Sequence, residues 1–345
     1  MLSDELRKSR FLRACRREAV DATPIWLMRQ AGRYMREYRE VRRKVSFLDL
    51  CKRPELAAEV TVTAQRRLQT DAAIIFSDIL VLLEPMGMQL DYPDNGGPRL
   101  GNRIRTSADV QKLREVQPGE TLAFVHEALR LTRAALPKDI PLIGFAGAPF
   151  TLASYMLEGG SSRHYRHTKA FMYNEPRAWQ ALMELLSRCV ASHLDGQVAA
   201  GAQALQVFDS WVGCLSPADY AEYVLPHMRA LFARLHAEVP VIHFGTHTAQ
   251  LLTLMREAGG TIIGIDHYLD FGRAWEQVGD VGVQGNLDPA ALFAERAVLR
   301  RKTHDILRQA AGKRGHIFNL GHGILPETPV DNVLALVDMV HAYGH

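Results

Sequence analysis

Two arginines, Arg29 and Arg33, stand four residues apart around a small, flexible centre in the first part of the sequence. Guanidinium groups bind carboxylates and phosphates through paired hydrogen bonds, so a helical coil here would predict a site for an anionic ligand. Gly32, between them, would let a ligand approach the backbone closely. The arginines could instead form a solvated face paired with Glu37 and Glu40. Their spacing leaves both interpretations open.

A carboxylate follows an apolar run further along the chain. Asp78 comes directly after Ala-Ala-Ile-Ile-Phe-Ser, a run that predicts burial, so we expect its side chain at the edge of an apolar wall. A carboxylate there can stabilise a positive charge that develops in a transition state. It could equally cap the next turn of the backbone, and both roles remain open.

Three further polar side chains follow apolar or glycine-containing runs. Tyr155 stands four residues after Thr151, which could cap a helix; Ser210 follows residues 204–208; and His322 lies between two glycines. Each of the three could present its polar group to a ligand. Residue type alone favours an ordinary structural role for the tyrosine and for a lone histidine.

These side chains need a scaffold that brings them together. Eight short apolar runs alternate with helix-length amphipathic segments, which predicts an α/β protein, a single-domain (β/α)8 barrel of the TIM type. The predicted strands are residues 25–28, 73–76, 142–145, 204–208, 241–244, 261–265, 281–284 and 317–320. The predicted helices are residues 55–69, 121–135, 175–200, 217–238, 249–258, 271–278 and 289–311.

The barrel prediction places the chemistry at one end. Active sites in this fold lie at the carboxyl ends of the strands, where the candidate residues stand. The Gly- and Pro-rich segment 84–105 is predicted as an excursion beside the barrel. No linker divides the chain, so we expect residues 1–345 to form one domain.

Charge is distributed unevenly along the chain of 345 residues. The formal net charge is +3, but residues 1–53 alone carry 15 basic and 7 acidic side chains. Such a basic segment could meet a nucleic acid, a membrane surface or an anionic small molecule. Aromatic and basic residues are not interleaved beyond Tyr34 and Tyr38, so we expect no nucleic-acid partner.

Other functional classes are disfavoured by what the sequence lacks. We find no membrane-length apolar run, no signal-peptide pattern and no CxxC pair, so we expect a cytoplasmic protein with free thiols and no membrane partner. His243 is followed at the second position by Gly245 rather than by a cysteine ligand, and no other spacing matches a zinc site. Nucleotide-binding glycine loops are missing, so we predict neither a metal nor a nucleotide cofactor.

Six segments resemble the uroporphyrinogen decarboxylase family, in the family's order and from about residue 10 to the C-terminus. They are residues 24–34, 75–80, 144–151, 208–210, 285–289 and 319–324. Met35-Arg36 departs from the pattern, because the family usually has Leu-Pro there; the change adds a charge and removes a proline.

The resemblance implies a cofactor-free carboxy-lyase on a (β/α)8 barrel. Its reaction would convert the four acetate side chains of uroporphyrinogen III to methyl groups in turn, giving coproporphyrinogen III in porphyrin and haem biosynthesis. It implies catalytic roles for Asp78, Arg29 and Tyr155, leaves the proton donor open, and makes Arg42 a weaker candidate for a carboxylate contact. The substrate contacts that it implies are Arg29, Gln30, Ala31, Gly32, Arg33, Asp78, Tyr155, Ser210 and His322.

Two further expectations come with the resemblance. Members of the family are often homodimers, so we expect the same of this chain. The alternative function is that of a zinc-dependent corrinoid or thiol methyltransferase of the same superfamily, which should carry a His-x-Cys zinc site.

Overall fold

The computed structural model describes residues 3–93, 97–236 and 238–343, and its centre is a curled parallel sheet. The strands are β1 Ala73–Ile74, β2 Leu90–Asp91, β3 Arg99–Leu100, β4 Leu142–Gly147, β5 Ala204–Asp209, β6 Val241–Gly245, β7 Ile262–Gly264, β8 Gly282–Leu287 and β9 His316–Leu320. β1 and β4 to β9 pair in sequence order, and every pair is parallel. The predicted α/β class is confirmed, with a sheet consistent with a TIM-like barrel.

Helices surround the sheet and connect its strands. Those in the described ranges are α1 Asp4–Arg7, α2 Arg10–Cys15, α3 Arg36–Arg42, α4 Phe47–Lys52, α5 Pro54–Leu68, α6 Ser107–Val110, α7 Pro118–Thr121, α8 Ala123–Ala135, α9 Pro149–Glu158, α10 Arg166–Asn174, α11 Pro176–Ala199, α12 Pro217–Tyr223, α13 Leu225–Arg234, α14 Leu252–Ala258, α15 Phe271–Val278, α16 Arg296–Ala310 and α17 Val330–His341. Because these helices cover one face of the sheet and side chains fill the other, both faces are apolar. No helix within these ranges combines the length and apolarity that a membrane span requires.

The predicted first strand is wrong in extent, because Ile25 alone pairs with the sheet, through a parallel bridge to Phe318. Side chains take the N–H groups that a longer strand would give to its neighbours. Asp71 accepts from Ile25 at 2.8 Å, and Asn319 accepts from Met28 at 3.1 Å. The carbonyl of Ile25 accepts the backbone N–H of Asp71 at 2.8 Å. This segment therefore joins β9 to the residues before β1.

The side chain of Asp71, just before β1, contacts three other parts of the chain. Its Oδ1 accepts from Arg10 of α2 at 2.7 Å, and its Oδ2 contacts Nε2 of His341 in α17 at 2.7 Å as well as the N–H of Ile25. The carboxylate is 10% exposed, so water compensates little for a lost partner. Helix α2, helix α17 and the bridge segment thus depend on one side chain.

Several predicted helices have different bounds in the structure. The helix predicted at 217–238 is divided at Val224 into α12 and α13, since Pro226 has no N–H to continue the hydrogen-bond ladder. Residue 237 of that prediction lies outside the described residues. The helix predicted at 289–311 is a short 3-10 helix followed by α16.

The predicted excursion contains little regular structure. Within residues 84–105 the antiparallel pair β2–β3 joins Leu90 to Leu100, and residues 94–96 lie outside the described ranges. The predicted domain, residues 1–345, also includes residues 1–2 and 344–345, which lie outside them.

We expect Asp71→Asn to destabilise the fold, because an amide nitrogen cannot accept and one of its donors (Arg10, Ile25 or His341) loses its partner. The free energy of unfolding should fall by about 2–3 kcal/mol, measured by chemical denaturation. Asp280→Asn is the matched control: Asp280 pairs with an arginine at the surface and its side chain is 85% exposed, so no measurable change is expected. Equal stability of Asp71→Asn and the wild type would contradict the role of Asp71.

Candidate active site

The floor of the candidate site is aromatic. Phe145, Phe208 and Phe244, near the carboxyl ends of β4, β5 and β6, pack edge to face with ring centroids 5.6 and 5.9 Å apart. They lie against the side chains that fill the inner face of the sheet. An apolar surface of this kind suits the flat, apolar part of a ligand. No sequence pattern singled out these phenylalanines, although all three lie in predicted strands.

The segment with the paired arginines is a series of turns, so it lacks the helical coil that would turn both arginines the same way. Arg29 has a left-handed backbone with φ of 64°. Gln30 is buried, and its side chain binds the N–H of Leu27 at 3.2 Å and the carbonyl of Ala72 at 3.3 Å. A Cβ on Gly32 would lie 2.9 Å from the carbonyl oxygen of Arg29, so the turn requires glycine. Gln30 and Gly32 thus shape the backbone from which the arginines project.

Arg29 and Arg33 are exposed, and neither guanidinium forms an ion pair or hydrogen bond with another described residue. The two carboxylates close by in sequence bind other side chains, in the pairs Arg36–Glu40 at 2.7 Å and Arg67–Glu37 at 3.9 Å. The interpretation of a basic face paired with these two glutamates is therefore wrong. Ala31, between the arginines, is half-buried, and Arg42 is bound to the carbonyl of Val45.

The two glycines around His322 allow close contacts. A Cβ on Gly323 would lie 2.5 Å from Cδ of Arg29, so the stem of that arginine rests on the glycine. A Cβ on Gly321 would clash with the backbone of His267. Burial lowers the pKa of His322, and the nearby charge of Arg29 lowers it further. At neutral pH His322 is therefore an uncharged hydrogen-bonding group.

Asp78 is half-buried at the end of its apolar run. Its Oδ1 accepts the N–H of Leu80 at 2.8 Å, so the predicted turn-capping role is confirmed. The other carboxylate oxygen, Oδ2, accepts no hydrogen bond of good geometry from a described residue and can therefore bind a ligand. Burial raises the pKa of Asp78, whereas Tyr92, the N–H of Leu80 and the charge of Arg29 act against this rise. The carboxylate is thus held in a poorly solvated place by a few specific groups.

Tyr92 is a neighbour of Asp78 that the sequence analysis missed. Its hydroxyl is buried without a well-aligned hydrogen bond among the described residues, and its ring packs on Phe47 at 4.7 Å. Burial raises the pKa of Tyr92, and the charge of Asp78 raises it further. Its position inside the Gly- and Pro-rich segment gave no signal of this contact.

Tyr155 lies on α9 and stacks on Trp211, with ring centroids 3.7 Å apart and an interplanar angle of 29°. Burial raises the pKa of Tyr155, and the charge of Asp78 adds to the effect, so the phenol stays protonated. Trp211 was also missed, although it directly follows Ser210. The carbonyl of Ser210 accepts the hydroxyl of Thr246.

The structure brings most of the predicted side chains into one neighbourhood. The charge of Arg29 acts on Asp78, Tyr155 and His322 alike. Ser210 lies near this group because the next residue, Trp211, stacks on Tyr155. The arrangement has cations without a partner among the described residues, a half-buried carboxylate and neutral hydrogen-bonding groups around an apolar floor. It can hold a polyanion and stabilise a cation that forms on it.

The residues present do not fit the zinc site of the alternative function. A Cβ on Gly245 would lie 2.6 Å from Cγ2 of Thr248, so a cysteine there would clash. His243 is fully buried and its Nε2 faces Asp209 at 3.8 Å. Over the described ranges, no group of three or more histidine, cysteine or acidic side chains could hold a metal ion.

We expect Tyr92→Phe to raise the pKa of Asp78, because it deletes the phenol oxygen that favours the carboxylate and keeps the ring on Phe47. Titration of the Asp78 carboxyl carbon by NMR measures this pKa. Tyr220→Phe removes another buried phenol oxygen that has no hydrogen-bond partner among the described residues. Tyr220 is not one of the groups that act on the pKa of Asp78, so that pKa should stay unchanged. An unshifted or lowered value in Tyr92→Phe would show that Tyr92 does not act on Asp78.

The chain is similar over nearly its whole length to proteins of one family. Residues 6–343 match the family model described as Uroporphyrinogen decarboxylase (URO-D). A protein named uroporphyrinogen decarboxylase from Sorangium cellulosum (strain So ce56) is 56% identical over 335 residues, which is 96% of each chain. One of the same name from Carboxydothermus hydrogenoformans is 53% identical over 333 residues, 96% of this chain and 95% of the relative.

A solved structure shares the fold at low sequence identity. A methyltransferase from Methanosarcina mazei superposes with a TM-score of 0.80 over 98% of this chain and 99% of its own, at 18% identity. A likeness at this identity shows a common fold and nothing of the reaction.

Proposed function

The chain belongs to the uroporphyrinogen decarboxylase family, and from this premise we propose that its candidate active site converts the four acetate side chains of uroporphyrinogen III to methyl groups, giving coproporphyrinogen III. The family makes the chain a carboxy-lyase of the porphyrin pathway, and its relatives favour this function over that of a methyltransferase. The observation that carries the site assignment is geometric. Arg29, whose guanidinium has no partner among the described residues, lies against Gly323 beside His322, and its charge acts on the half-buried carboxylate of Asp78. Arg33 is exposed on the same turn segment and has no described partner either.

The site offers cationic arginines for the charged groups of the substrate and an aromatic floor for its apolar part. Uroporphyrinogen carries eight carboxylates on the edge of an apolar macrocycle. Arg29 and Arg33 can bind these carboxylates because neither guanidinium has a partner among the described residues. The backbone from Gln30 to Gly32 sets the spacing of the two arginines and borders the same ligand. Ser210 and His322 add neutral polar groups suited to further carboxylate arms.

Asp78 is proposed as the group that stabilises the reaction centre. Each step replaces a carboxylate by a proton, so that an acetate and H⁺ become a methyl group and CO₂. Protonation of the pyrrole at carbon makes a cationic ring, which accepts the electron pair left by CO₂. Asp78, bonded to the pyrrole N–H groups, would lower the energy of that cation in a poorly hydrated cleft. The resemblance to the family and the partial burial of this carboxylate support the role.

Arg29 and Tyr155 complete the proposed catalytic set. Arg29 is close enough to Asp78 to act on its pKa, and it orients the carboxylate that leaves. Tyr155 remains protonated and can donate its hydroxyl to a carboxylate arm or to Asp78. Either Arg29 or Tyr155 would lie beside the carbon that receives the proton.

Architecture and assembly belong to the same proposal. We take the seven-stranded sheet and the bridged Ile25 segment together as a (β/α)8 barrel, with residues 1–345 as one domain. One continuous apolar core, from Ile25 to Val340, supports this. The homodimer is proposed from the family resemblance, and the cytoplasmic location from the four cysteines, which are all free. No cofactor or metal is proposed.

The purified protein should convert uroporphyrinogen III to coproporphyrinogen III anaerobically, without added cofactor and in the presence of a chelator. Separation of the products after oxidation to porphyrins measures the conversion and reveals intermediates with seven, six and five carboxylates. A lack of turnover with both the I and III isomers would refute the proposed function.

Asp78→Asn should lower kcat by roughly 100–1000-fold, because the neutral amide cannot compensate the cationic ring. The rate is measured with saturating uroporphyrinogen, and circular dichroism checks the fold. Asp280→Asn makes the same chemical change at an exposed surface position and should keep the wild-type rate. A folded Asp78→Asn enzyme at the wild-type rate would remove Asp78 from the mechanism.

A further inference from the structure

One hydroxyl group joins the helix that carries Tyr155 to the loop that carries Ser210. Thr151 Oγ1 donates to Oδ1 of Asp209 at 3.1 Å and accepts the backbone N–H of Trp211 at 3.3 Å. Thr151 and Asp209 are completely buried, so water cannot replace either bond. The hydroxyl therefore acts once as a donor and once as an acceptor.

The same helix holds Trp211 a second time, through its ring. Thr151 and Tyr155 are four residues apart on α9 and lie on the same face of that helix. The ring of Tyr155 stacks on the indole of Trp211 at 3.7 Å, and Tyr165 contacts the indole at 5.3 Å with an interplanar angle of 67°. Trp211 is thus held at its backbone N–H by Thr151 and at its ring by Tyr155 and Tyr165.

We propose that Thr151 and Trp211 are positioning residues for the decarboxylation: Thr151 fixes the indole relative to α9, and the indole sets the orientation of the Tyr155 hydroxyl toward the reacting arm. This inference rests on the proposed function, since it concerns the role of Tyr155 there. The backbone bond from Thr151 also fixes the distance between Tyr155 and Ser210. If this anchor is lost, the distance between the two polar groups is no longer fixed.

A purely structural role for Thr151 has to be separated from this one. Asp209 is fully buried, its Oδ2 has no hydrogen-bond partner among the described residues, and His243 is 3.8 Å away. Loss of the Thr151 hydroxyl leaves Asp209 with no hydrogen bond from a side chain and lowers stability. A fall in activity alone would not distinguish the two roles, so the test uses the coupling to Tyr155.

The test is a double-mutant cycle between Thr151→Val and Tyr155→Phe, read in kcat and KM. Valine keeps the shape of threonine and removes both hydrogen bonds. If Thr151 acts through Tyr155, Thr151→Val lowers kcat about tenfold with KM little changed, and has almost no further effect when Tyr155→Phe is present. Thr151→Ser, which keeps the hydroxyl, should restore most of the lost rate. Equal effects of Thr151→Val with and without Tyr155→Phe would overturn the inference.

A second variant covers the case in which Thr151→Val does not fold. Trp211→Phe keeps the backbone N–H bonded to Thr151 and reduces only the stacking surface, and the same non-additivity with Tyr155→Phe is expected. Full additivity in that cycle, or a wild-type rate in Tyr155→Phe alone, overturns the inference while wild-type turnover still stands. Absence of wild-type turnover defeats the proposed function itself, and the inference with it.

Discussion

The bridge segment before Arg29 is the constraint on which the rest of the structure depends. Its single paired residue, Ile25, lies between β9 and the chain before β1, and its N–H is held by the carboxylate of Asp71. Side-chain acceptors thus replace a strand ladder where the two edges of the sheet approach each other. The backbone leaves this segment directly into the arginine turn, so the bridge at Ile25 sets the place of Arg29 and Arg33.

The strands and the rim could be predicted from the sequence because buried parallel strands are short apolar runs, and polar residues at their carboxyl ends must share one edge. The bridge segment was mispredicted because Asp71 and Asn319, remote in sequence, take its N–H groups. Tyr92 and Trp211 were not predicted as site residues for a related reason. Their importance comes from contacts with Asp78 and Tyr155, and no local pattern encodes a contact between distant residues.

The site combines features that are costly to the free protein. Asp78 is held where burial opposes its charge, and His322 and Tyr155 are kept neutral by their surroundings. Such groups are oriented before the substrate arrives, so little reorganisation is needed when charge develops on the ring. The glycines beside His322 contribute by letting the stem of Arg29 lie against the backbone. The orientation of these polar side chains is set by the residues packed around them, rather than by hydrogen bonds among them.

The unpaired guanidiniums of Arg29 and Arg33 also bear on how fast ligands arrive and leave. An uncompensated positive rim attracts a polyanion from solution and raises its association rate, an effect that salt screens beyond about 8 Å at physiological ionic strength. Each decarboxylation removes one negative charge, so the pull on the ligand declines from eight carboxylates to four. In the proposed reaction, the electrostatic field that accelerates capture of the substrate therefore retains the product less strongly, without any moving part.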